Sequence, residues 1–482
     1  MKNSTSDLPR KLLTLSEAHA LEKPTADHLY RRHINPSLFA VYKILGLSDL
    51  DVASAEGVEI VHRDGRRILD FTSSIGVLSL GHNHPRIIAA EKFCHEHKVI
   101  DAIKVAPSKL QAALSFNLSV LLPPPLEVSF FSVSGAEAVE AALKLAERVQ
   151  GPERRMFITT TGAYHGKTHA ALSITRCDNF GEGFLFGIPE ENILEIPYGD
   201  IGALENAIRS RTGSGGTNDV AAVIVEPIQG QSVRVPPEGY ISKVVALCKE
   251  NQIVSIVDEV KVGMGRTGYF CAFMAEDTVP DVVTISKCLG GGKRAIGAMV
   301  TSQEMFRRAY GKTKDASTHT TTFGGLGESC AVAIEALNII GQPEFLADVR
   351  AKGDYLRTRL EWVRDRHPGA IRGITGRGLF YGVDFEFGAL LGALKHLPRI
   401  PFIQRTAETV LMGTMVREFY RRYGILTHFS ASDPTILHVM PPLIVERHQL
   451  DLFITALDKL LERGLLTLAA RFVGDTAVEV IR

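Results

Sequence analysis

Cysteine is scarce in this chain of 482 residues: six, at 94, 177, 248, 271, 288 and 330, scattered and never as a C-x-x-C pair. That pattern argues against a zinc-finger site and a disulfide framework, and it fits a reducing compartment. Neither sign of charge is in excess. Lys plus Arg total 54 and Asp plus Glu total 54, so bulk charge does not grip nucleic acid or an anionic membrane. No apolar run reaches the roughly 18 residues that a bilayer-spanning helix needs. The first residues carry Asp7 and Glu17 and no apolar core, unlike a secretory leader. His95-Glu96-His97, after Cys94, reads as a solvated helix face rather than a metal site, and His82 and His84 flank a turn before Pro85. The expectation is a cytoplasmic protein with no metal, nucleic-acid or membrane partner.

What is present is a globular composition, 45% hydrophobic and 22% charged, with 43 glycines. The length suits two or three domains. Residues 1 to about 35 read as a polar arm, and residues 58–71 as a hairpin around Asp64-Gly65. Val139, Ala142, Leu143 and Ala146 share one face of a helix over 138–148. Three short apolar runs follow, at 221–225, 253–257 and 282–286. Without polar alternation they suit strands buried on both faces of a parallel sheet. After about residue 335 the pattern becomes helix-rich, then strand-like over Leu379–Phe385. The predicted architecture is α/β: an N-terminal arm and part of a small domain (1–90), a large domain with a mainly parallel sheet (91–335) and a small α+β domain (336–482).

Each apolar run ends in charge: Glu226, then Asp258-Glu259, then Lys287. Open α/β sheets bind ligands beyond the carboxyl ends of their strands, so a carboxylate and an amine at successive strand ends are candidates for one site. Ser134-Gly135-Ala136 precedes the predicted helix, where free amides make an anion site; the plainer reading is an N-cap serine. After Lys287 comes Cys288-Leu289-Gly290-Gly291-Gly292, either a flexible loop or one that lets a bulky ring approach the lysine. Gly162 to Thr168 looks like a phosphate-binding P-loop, but Thr161 stands where its first glycine belongs.

The stretches DFTSSIGVLSLGHNHP (70–85), SGAEAVEAALKLA (134–146), GAYHGKT (162–168), VEPIQG (225–230), DEVKVGMGRTG (258–268), SKCLGGG (286–292) and HTTTFGG (319–325) occur in that order. Together they resemble the class III aminotransferases, the group of the ornithine, acetylornithine, 4-aminobutyrate and putrescine aminotransferases, over residues 55 to 460. The resemblance implies the fold-type I architecture, with a large domain around a seven-stranded sheet, and pyridoxal 5'-phosphate as cofactor. It implies that Lys287 bonds the cofactor and shuttles a proton, and that Asp258 pairs with the pyridine nitrogen. Ser134, Gly135 and Ala136 would cup the phosphate, with Thr322 reaching it from a neighbouring subunit of a homodimer. Tyr164, beside His165, would stack on one ring face and Val260 on the other; Glu226 would lie near the substrate. Arg266 reads as structural.

Three departures bear on specificity. Lys261 stands where many relatives have Gln, either bonding the ring-hydroxyl region or pointing to solvent. His438 takes the place of an arginine that binds a substrate carboxylate, and imidazole lacks the bidentate fork that suits that task. Leu326-Gly327-Glu328 replaces a common Asn-Pro. An insertion over 387–413, with Leu390, Leu391, Leu394, Leu397, Ile400, Phe402 and Ile403, reads as a packed excursion or as an apolar wall for a long or carrier-bound substrate. The implied function is ping-pong transamination from an amine or ω-amino donor to a keto acid, aldehyde or ketone. An aminomutase or decarboxylase on the same fold is the alternative, and a noncatalytic binding protein the rival from another class.

Overall fold

A computed structural model describes residues 11–177, 180–387, 401–430 and 432–464, without the side chains of 401–404. Its centre is a seven-stranded sheet in the spatial order Val128–Ser132, Gly297–Thr301, Val282–Ile285, Val254–Asp258, Val220–Val225, Met156–Thr160, Ile193–Ile196. The last five strands are parallel, and Gly297–Thr301 runs antiparallel to both its neighbours. The three apolar runs are the adjacent central strands, buried at every position. Helices cover both faces, so these strands carry no polar alternation. Each fully buried Val or Ile contributes about 1.5–3 kcal/mol of hydrophobic stabilisation.

The helix after the first strand runs from Gly135 to Gln150, three residues earlier than its apolar stripe suggests. Ser134 caps it, its Oγ accepting from the Glu137 amide at 3.2 Å. The reason is local: the cap sits in extended backbone (φ −150°, ψ 163°), so the first turn precedes the apolar stripe and faces the sheet's end.

A second apolar core gathers the helices Pro343–Arg366, Pro401–Tyr423 and Arg447–Glu462. They pack on a four-stranded sheet ordered Ile371–Arg377, Phe380–Phe385, Asp433–Val439, His428–Ser430. The predicted hairpin forms between Glu59–His62 and Arg67–Asp70, and Ile425–Leu426 joins it in parallel. The two ends of the chain therefore share a sheet. The segment read as a polar arm up to about residue 35 contains the helices Leu15–His19 and Lys23–His33, followed by Pro36–Ile44. Its signals were caps: Thr14 with Glu17 forms a capping box, and Asn35 caps the helix that begins at Pro36. Of the expected insertion, residues 388–400 and the side chains of Phe402 and Ile403 lie outside the described residues. Phe387 is fully buried in the second core.

Arg266 is fully buried and ties segments together. Its guanidinium donates to the Leu379 and Pro441 carbonyls and to Ser79 Oγ. Among the described residues no single helix is long and apolar enough to cross a membrane.

Candidate active site

The three central strands deliver their terminal charges to one cavity of about 520 Å³, lined by Glu226, Asp258 and Lys287 among others. Parallel neighbours end on the same side, so Glu226 and Lys287, 61 positions apart in sequence, converge there. Glu259 does not. It is buried on the other side of the strand end, with Oε1 accepting from the Phe273 amide at 2.8 Å, and burial raises its carboxyl to about 7.

Asp258 is fixed on both oxygens. Oδ2 lies 2.7 Å from His165 Nδ1, and Oδ1 accepts from Thr284 Oγ1 at 2.8 Å and from the Val260 amide at 3.0 Å. Thr284 is the register partner of Asp258 on the next strand, a pairing that depends on sheet register and so has no signal in the sequence. His165 is buried, and its Nε2 has no partner. Lys287 begins a short 3-10 turn, Lys287–Gly290, with φ +51°. The glycines after it are not a flexible loop: Gly291 packs on Ile87 and Val332, and Gly292 on Leu78. Burial, with a contribution from the Arg266 cation, lowers the Lys287 amine to about 8, while Asp258 and Glu226 oppose the shift.

Glu226 accepts from the Tyr164 amide at 3.0 Å and the Gly230 amide at 2.8 Å. Burial raises its carboxyl to about 7. Gly135 and Ala136 line the cavity at the helix start, where the first amides of a helix lack intrahelical partners. A Cβ on Gly135 would stand 2.7 Å from Val260 Cγ1; glycine there lets Val260 pack directly against the helix start. Tyr164, with Phe180 edge-on at 5.9 Å, forms one wall and Val260 another. Lys167, the lysine of the false P-loop, lies 3.7 Å above the Phe180 ring.

Lys261 lines the cavity rather than pointing to solvent, 5.4 Å from the Phe380 ring centroid. Burial, then the neighbouring Lys287 and Arg266 cations, push its amine far below the usual lysine range. His438 is buried and fully engaged, with Nε2 2.9 Å from the Gln231 carbonyl and Nδ1 3.1 Å from His428 Nε2. Burial lowers it to about 3, so it stays neutral. Thr322 is exposed and does not line this cavity. Ser74, Ile75, Phe180 and Gln231 line it without having been singled out from sequence; each sits on a connecting segment, outside any period. The paired histidines of the 82–97 region serve locally: His82 Nε2 bonds Asp70 at 3.1 Å, and His97 stacks on Phe93.

An anion-binding helix start, a carboxylate at a strand end and an amine with depressed basicity fit pyridoxal 5'-phosphate. The unpartnered His165 Nε2 and the close packing of Val260 on the helix start, which glycine at 135 permits, are the features of this chain that carry the fit. The comparisons agree. The family model Aminotransferase class-III matches residues 46–461. The ornithine aminotransferase of Toxoplasma gondii is similar over 98% of this chain and 100% of its own, at 25% identity and a TM-score of 0.78. A second structure of that enzyme, crystallised in the presence of oxidized glutathione and at 25% identity, TM-score 0.75 and coverage of 91% and 93%, shows partial occupancy of PLP at its active site. A thermostable (S)-enantioselective omega-transaminase from Thermomicrobium roseum matches over 92% of this chain and 98% of its own, at 25% identity and a TM-score of 0.78.

Proposed function

Since the chain belongs to the class-III aminotransferase family, and is a pyridoxal-phosphate-dependent transaminase by that membership, we propose roles for its residues within that reaction. The cofactor, when bound, supplies an electron sink that lets a proton leave the carbon bearing the amine. The chain supplies placement and proton handling. Lys287 would hold the cofactor through Nζ, and its free amine would carry the proton between carbon atoms. An amine lowered to about 8 is neutral in about a tenth of the molecules at pH 7, far more than an ordinary lysine, and in that form can take the proton. Asp258 opposes the ring nitrogen, its charge held in place by His165, Thr284 and the Val260 amide. Ser134, Gly135 and Ala136 would hold the phosphate, Tyr164 and Val260 would flank the ring, and Lys261 would serve its hydroxyl. Glu226 lines the substrate side.

The single observation that carries this reading is the convergence of Lys287 and Asp258 on one cavity from neighbouring strand ends. The test is Lys287→Ala. Turnover should fall by more than about 1000-fold, and the visible absorbance of protein-linked cofactor should vanish, while the melting temperature stays within a few degrees. Undiminished turnover would refute the assignment.

Thr322 and a homodimer belong to the same proposal. Thr322 stands exposed, away from its own chain's cavity, as a residue given to a neighbour's site would. A cytoplasmic location is also proposed: all six cysteines are buried and none is in a disulfide. Cell fractionation that found the protein only in an oxidising compartment would contradict it.

A further inference from the structure

A second cavity of about 490 Å³ lies against the first, and Ile75 lines both. Its far wall comes from the N-terminal helices and the turn after them: Ala26, Phe39, Leu47 and Leu50. Tyr30 packs beside Phe39 and Tyr42 at centroid distances of 6.2 and 6.4 Å. The one ion pair on its lining, Lys23 with Asp27, is internally matched. Among the described residues, no arginine lines either cavity.

Two observations mark this space as built. The first is the turn that presents Ile75. Ser73, Ser74 and Ile75 take φ of +46°, +48° and +59°, a region that a β-branched residue rarely enters. The turn is held there by Asp70 Oδ1, which accepts from Thr72 and Ser73, and by Ser73 Oγ donating to the Met440 carbonyl at 2.7 Å. Such strain persists where its surroundings impose it and clusters at ligand sites.

The second observation is at the floor. Thr427 and His428 line the cavity, and Thr427 Oγ1 and His428 Nδ1 are buried without a hydrogen-bond partner. The bonding of His438 explains the latter. Its Nε2–H donates to Gln231 O, so its Nδ1 accepts from His428 Nε2–H. His428 Nδ1 is thereby left as an acceptor. Buried polar groups are normally paired.

We propose that this cavity receives the body of the amine substrate, and that the body is an apolar aryl-alkyl group able to end in a hydroxyl. The aromatic wall suits a ring, the volume suits a drug-sized group, and the terminal hydroxyl would answer the unpaired floor groups. The neutral, fully bonded His438 offers no charge for a carboxylate in its place. This rests on the transaminase reading above, and deepens it by naming the substrate class.

The test compares propylamine with 4-phenylbutylamine as donors to pyruvate, and measures binding of 4-phenylbutan-1-ol, which has no amine, to the holoenzyme by calorimetry. Wild type should favour the aryl amine by at least about tenfold in kcat/KM, from the added buried apolar area. Ala26→Trp on the helix and Ser48→Trp on the turn each fill the cavity from a different element, so one remains if the other misfolds. Either should erase the preference through KM, leave kcat for propylamine unchanged and abolish alcohol binding. A wild type without preference, or a preference that survives both tryptophans, overturns the inference. If neither amine reacts or alters the cofactor absorbance, the transaminase reading fails separately. Alcohol binding then decides: binding lost in the variants supports the cavity's role, and no binding in wild type overturns it.

Discussion

Lys287 sits in left-handed backbone at the end of a buried run. A non-glycine residue there costs about 1–3 kcal/mol, and its neighbours Cys288, Leu289 and Gly290, all buried, hold it in place. The consequence for chemistry is a rigid amine in a poorly hydrated site. Its sign with pH follows: the amine, lowered to about 8, becomes neutral as pH rises through that value. Uptake of pyridoxal phosphate by the apoprotein, which needs the neutral amine, is expected to accelerate with a midpoint near pH 8. A stopped-flow absorbance profile checks it, and a midpoint above about 10, the range of an ordinary lysine, would contradict it. Asp258 carries the complementary charge. A charge at contact shifts its partner's pKa by about 1–3 units, so Asp258→Asn should slow each half-reaction roughly 10- to 1000-fold. Single-turnover kinetics read this, and a change below twofold would deny the charge its role. Lys261 is half-buried at the site and His438 is buried beside it, and both are held away from the cationic state.

At the level of elements, the start of the helix Gly135–Gln150 serves stability and binding together. Ser134 satisfies the Glu137 amide, and Glu137 returns a bond to the Val133 amide at 2.7 Å. Ser134→Ala should cost about 1 kcal/mol. A fall in the urea midpoint at unchanged slope is the readout, and no shift would mean that the cap is redundant. Much of this element was legible beforehand: the apolar stripe over 138–148 and a serine before glycine are local signals. The N-terminal helices were less so. Lys23–His33 buries no residue fully, so it lacks the wide apolar stripe by which helices are recognised; its traces are Pro24 in the first turn and the basic residues Arg31, Arg32 and His33 in the last.

For the whole molecule, the segment around Thr322 is joined to residues 101–104. Lys104 Nζ donates to the Gly324 carbonyl at 2.7 Å and the Gly327 amide to Asp101 O at 2.8 Å. On this face Ile100, Val105 and Phe323 are more than half exposed, an apolar surface that a second subunit would cover. Sedimentation should therefore give twice the 52.7 kDa chain mass. Thr322→Val should leave that mass unchanged and weaken cofactor retention about tenfold, the worth of one charge-assisted hydrogen bond. A monomer with full cofactor affinity would refute the shared site.

Composition, periodicity and motif order were enough to read the sheet's central strands, the strand-end charges and the helix start, because each depends on residues adjacent along the chain. The partnership of Asp258 with Thr284 and His165, the divergence of Glu259 from Asp258 and the apolar cavity behind Ile75 came only with tertiary structure. These depend on sheet register, on which side of a strand end a side chain leaves, and on the placement of the N-terminal helices across a cavity from residues 426–428. Such long-range geometry is set by the sum of many burials rather than by any local pattern.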